Sequence, residues 1–183
     1  TAEGNNTATP ATLAHRWSFN GDLKDAIGGS EGTSYGSVSY SADNKTVVLA
    51  GGTKNTSYID LGANMLPSDS VTLEFWMTLR QRKVWSKLFC LGKDTSDGIA
   101  FTFNRTNDTG VYSLDVNGEG GGTFGMDAMR FETAPYYIAI TFTPDGNGGT
   151  YARTYCRNLS SDKMVYMVNH TFVNWSVLTR ITQ

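Results

Sequence analysis

The chain has 183 residues, a formal net charge of −2 and only 17% charged residues. That length fits a single domain burying about 70% of its unfolded surface, so a core needs no staples. No basic stripe favours nucleic acid or an anionic membrane as partner, and no apolar run approaches the ~18 residues of a membrane span.

Composition points to strands. There are 20 Gly, 9 Tyr, 9 Phe and 4 Trp, with abundant Thr, Ser and Val and little of the Glu and Lys that fill helix surfaces. The start at Thr1, with neither Met nor an apolar leader, reads as the mature N-terminus of a secreted chain. Residues 1–11, TAEGNNTATPA, are small and polar and read as a flexible arm.

From residue 12 onward, alternating apolar and polar residues are interrupted every 8–12 positions by Gly, Asn or Asp. The spacing predicts strands at 13–19, 34–40, 46–49, 57–61, 70–79, 84–91, 99–104, 111–116, 136–143, 150–157, 164–170 and 175–179. The clearest is 70–79, where Val71, Leu73, Phe75 and Met77 face one way and Thr72, Glu74, Trp76 and Thr78 the other. In 136–143, Ile138, Ile140 and Phe142 oppose Tyr137, Ala139 and Thr141. No helix or repeat is evident. So many strands favour two packed antiparallel sheets, an all-β sandwich.

Two features bear on compartment. Asn-x-Ser/Thr sequons fall at Asn5, Asn44, Asn55, Asn104, Asn107, Asn158, Asn169 and Asn174, where chance predicts about three. They imply either a secreted glycoprotein or a bacterial surface protein with turn-rich composition. Cys90 and Cys156 lie in strand-like segments, and in an oxidising compartment one disulfide between them is expected; two buried thiols are the alternative.

Several segments in order carry a resemblance: AHRWSFNGDLKDAIGG at 14–29, SYIDLG at 57–62, VTLEFWM at 71–77, WSKLFCLG at 85–92 and YYIAITFTPDG at 136–146. Together they resemble the laminin G-like, concanavalin A-like jelly-roll family. The resemblance implies a domain over 12–183 that lacks the closing C-terminal strands. It leaves the 13–19 edge open to a strand from a neighbouring chain. It also implies a structural calcium near the first loop, with Asn20, Asp22 and Asp25 at the matching positions; a plain tight turn is the alternative for the same residues.

Catalysis is not expected. Glycosidases of this fold place paired carboxylates about 5 Å apart, whereas the best strand offers Glu74 alone, and Glu31, Glu119 and Glu132 have no acidic partner at the required spacing. His15 reads as a structural histidine rather than part of a Ser-His-Asp set. For ligand binding, the exposed face of 70–79 carries Glu74 and Trp76, while Trp85, Tyr112 and Asn117 stand near loops; second-layer packing competes for each. The expectation is a non-enzymatic extracellular module that binds glycans or protein partners. The alternative is a structural glycoprotein that assembles into a fibre, coat or appendage through an open sheet edge.

Overall fold

The computed structural model describes residues 10–53, 56–63, 65–66, 70–94, 97–104, 111–117, 123–161 and 163–172. The chain divides into two compact units, Thr1–Met65 and Leu66–Gln183. No helix occurs among the described residues, and every strand pair is antiparallel.

In the first unit β1 (Thr33–Gly36) pairs with β4 (Ser57–Asp60), and β2 (Val38–Tyr40) with β3 (Val47–Leu49). The expected strand 34–40 is thus two strands. Gly36, at φ 71°, turns the chain between them, and a Cβ there would strike the carbonyl oxygen of Thr56.

The expected first strand, 13–19, does not form. Only an isolated bridge, Trp17 to Asp25, occurs there. The cause is Asp25, whose buried carboxylate draws the segment in: Oδ1 accepts the backbone N–H of Arg16 at 2.9 Å and of Ile27 at 3.0 Å, and Oδ2 lies 2.6 Å from His15 Nδ1. A side chain takes the backbone bonds that a sheet neighbour would need. The sheet edge expected to recruit a neighbouring chain is therefore not there.

The second unit holds β5 (Val71–Thr78), β6 (Lys87–Asp94), β7 (Asp97–Thr102), β8 (Val111–Asn117), β9 (Thr123–Arg130), β10 (Pro135–Pro144), β11 (Thr150–Asn158) and β12 (Lys163–Phe172). They form two four-stranded sheets, ordered β12-β11-β10-β5 and β6-β7-β8-β9. Alternation sends Ile138, Ile140 and Phe142 of β10 inward with Cys156 of β11, toward Phe101 of β7 and Tyr112 and Leu114 of β8. Phe131 packs edge-on against Phe101, Phe103, Tyr112 and Tyr136. Both sheets thus line one apolar core, as in a β-sandwich. Strand β9 was not expected from sequence, and the expected strand 175–179 lies outside the described residues.

Candidate functional site

On the side of β5, β10 and β11 away from the core, the register builds cross-strand rows. Trp76, Tyr137 and Arg157 form one, Glu74, Ala139 and Tyr155 the next, and Thr72, Thr141 and Arg153 a third. Trp76 is 69% exposed, the most exposed large apolar side chain among the described residues. Its ring lies 4.8 Å from that of Tyr137, tilted by 47°. The Tyr137 hydroxyl donates to Glu74 Oε1 at 2.8 Å. Partial burial, reinforced by the carboxylate, pushes the Tyr137 pKa up to about 12, so the phenol stays protonated and keeps donating.

Between the flanking large residues β10 contributes only Ala139, which is buried, and Thr141. On the far side Arg153 Nη1 donates to the Tyr155 hydroxyl at 3.4 Å. The face therefore offers an aromatic plate, a carboxylate acceptor and guanidinium donors around a shallow floor. Along β5, β10 and β11, Glu74 is the one carboxylate. The sequence alone does not single out Tyr137, Tyr155, Arg153 and Arg157 as site residues; strand parity is the available signal, but register is needed to bring them beside Trp76.

The remaining expected ligand residues scatter. Trp85 is exposed but stands in the β5–β6 turn. Tyr112 is fully buried, because its parity on β8 matches that of Leu114, so it is a core residue rather than a ligand contact. Asn117 ends β8, and its side chain lies outside the described part.

The calcium set is not assembled around Asp25. Its oxygens already receive N–H groups, and Gly28 presses so close that a Cβ there would strike both His15 and Asp25. Burial raises the Asp25 pKa, but bonds from the Arg16 backbone, the His15 side chain and the backbones of Ile27 and Gly28 outweigh it and hold the carboxyl well below its ordinary range. Asp22 Oδ1 accepts the Lys24 N–H at 3.1 Å within an exposed turn, and Asn20 is exposed beside it. These residues do not fit a shared cation cage. Among the described residues no group of three or more His, Cys, Asp or Glu could hold a metal. His15 stacks on Trp17 at 5.5 Å, the packing of a structural histidine.

The expected disulfide is absent. Cys156 is buried, whereas Cys90 is exposed, and no bond joins them. Its neighbours Phe89 and Leu91 pack on the core, which leaves Cys90 pointing out of the sheet.

Two expected glycosylation sites are also corrected. Asn104 is 0% exposed, and Asn158 is 9% exposed with Oδ1 accepting the N–H of Ser160 at 2.9 Å. Asn44, at φ 54°, stands exposed in the β2–β3 turn. Asn5, Asn55, Asn107 and Asn174 lie outside the described residues, as does the side chain of Asn169 on β12. Comparison with protein-family models, with curated proteins and with solved structures finds no match to this chain.

Proposed function

We propose that this chain is a non-enzymatic, extracellular β-sandwich module of the concanavalin A-like jelly-roll type that binds glycans on the outer face of β5, β10 and β11. The observation that carries the reading is the exposed Trp76 ring braced by Tyr137, itself tied to Glu74. A sugar ring presents C–H groups on its faces and hydroxyls around its rim. The indole suits the faces, while Glu74 as acceptor and the arginines as donors suit the rim. What distinguishes this ring from a singly scattered surface hydrophobic is its setting, beside Tyr137 and in the row next to Glu74. A lone carboxylate on this face favours binding over paired acid–base hydrolysis.

Calorimetric titration with a panel of soluble oligosaccharides tests the reading. Saturable binding to at least one is expected, with Trp76→Ala weakening it about tenfold or more and leaving the fold intact. Absence of binding across the panel, or undiminished binding by Trp76→Ala, overturns it.

A further inference from the structure

Although no extended basic stripe runs along the chain, the short β5–β6 turn concentrates positive charge in a way that the overall balance hides, and it revises the expectation against an anionic membrane. Residues 80–87, RQRKVWSK, hold Arg80, Arg82, Lys83 and Lys87 and no acidic residue, in a chain of 15 Lys and Arg against 17 Asp and Glu. Inside this run sit two adjacent apolar side chains held in water: Val84, 43% exposed, and Trp85, 52% exposed.

The turn backbone beneath Trp85 is fixed. Trp85 has φ 64°, a left-handed conformation that bulky residues avoid. It is fixed there by its N–H, which donates to the Asn104 carbonyl at 2.6 Å, and by the N–H of Phe103, which donates to the Ser86 carbonyl at 2.9 Å. The Ser86 hydroxyl donates to the Lys83 carbonyl at 2.8 Å and closes the turn. Strained backbone of this kind persists only where its surroundings over-determine it, and it gathers at functional sites. Lys87 Nζ lies 5.8 Å over the Trp85 ring and donates to Thr102 Oγ1 at 2.9 Å. On the adjoining segment, placed by the bond from Leu79 N–H to the Ala134 carbonyl, Glu132 is the one carboxylate among residues 131–134.

We propose that this turn docks the protein on an anionic lipid surface, with Val84 and Trp85 entering the interfacial zone and Arg80 and Lys83 meeting lipid phosphates. Indole rings settle at the headgroup level, and clustered Lys and Arg are drawn to anionic leaflets. Val84 decides between lipid and a soluble polyanion: a phosphate or sulfate polymer would satisfy the cations but would leave the isopropyl group in water. The contact is peripheral and is independent of the Trp76 face.

The test is co-sedimentation of the full chain with phosphatidylcholine vesicles, with and without phosphatidylglycerol. Retention is expected on the anionic vesicles only. Val84→Asp, a surface change that spares the strained residue, and Trp85→Ala should each weaken it about tenfold or more, and Arg80→Ala or Lys83→Ala about fivefold each. Thermal melts identify any variant that fails to fold, and Val84→Asp keeps the test decisive if Trp85→Ala does so. No retention on anionic vesicles, equal retention on neutral ones, or unchanged retention of a folded Val84→Asp variant overturns the proposal.

Discussion

The Tyr112 phenol and the Thr154 hydroxyl meet at 3.0 Å, with both side chains fully buried. Tyr112 belongs to β8 and Thr154 to β11, so the bond runs from one four-stranded sheet to the other through a largely apolar core. A made bond nets about 1 kcal/mol, whereas a stranded buried hydroxyl costs about 1–3 kcal/mol. Tyr112→Phe and Thr154→Val should each destabilise the protein by about 1–2 kcal/mol. The double variant should cost less than their sum. Urea unfolding of the four proteins measures this, and strictly additive losses would refute the coupling.

Tyr112 also marks what the sequence could disclose. The inward set of β5 was legible from its alternation, and so was the inward parity of β10. Parity alone would have placed Tyr112 with Leu114, but proximity to a loop made it look like a ligand residue. Register was not legible: nothing local tells that Trp76 meets Tyr137, because that pairing depends on two strands some sixty positions apart. Strand β9 was hidden because Gly125 and Asp127 are poor strand formers. The segment 13–19 misled in the opposite sense. Leu13, Trp17 and Phe19 share strand parity, while the residue that decides its conformation, Asp25, lies beyond it in sequence. The sequons show the same limit, since a motif does not reveal whether its Asn faces water.

Asp25 makes stability depend on pH with a definite sign. In the folded protein its carboxyl is held well below the ordinary range, whereas in the unfolded chain it returns to about 3.9. The unfolded state therefore binds more protons in acid, and stability rises with pH. The contribution is fully present above the ordinary carboxylate pKa and is lost as pH falls toward the depressed folded value. Asp25→Asn should lower the urea midpoint of the first unit at neutral pH and flatten its acid limb. An acid limb unchanged in the variant would show that another group carries it.

The two thiols should behave as unlike groups. Burial pushes the Cys156 pKa up to about 12 and shields the sulfur, so little reactive thiolate forms. Cys90 is exposed on β6. Maleimide should label the folded protein once, at Cys90, and a second time only after denaturation. Fast labelling of Cys156 in the native state, or a Cys90–Cys156 peptide in a non-reducing digest, would contradict the burial of Cys156 in the core and the exposure of Cys90 on the other sheet.

Secretion through a glycosylating host separates the sequons by burial. Asn44 stands in an exposed turn, where Asp43 Oδ1 accepts the Ser41 hydroxyl at 2.6 Å and the Lys45 N–H at 3.2 Å, so a glycan would cost little. Asn104 is fully buried, and its carbonyl accepts the Trp85 N–H. Asn158 spends its amide oxygen on Ser160 and Ser161. Glycans are bulky and hydrated, so a chain modified at Asn104 before folding could not close its core. Peptide mapping of the folded, secreted fraction should find sugar at Asn44 and none at Asn104 or Asn158. Thr106→Ala, which abolishes the Asn104 sequon and keeps the asparagine, should raise the secreted yield. A glycan on Asn104 in folded material would mean that this side chain reaches water, and would overturn its place in the core.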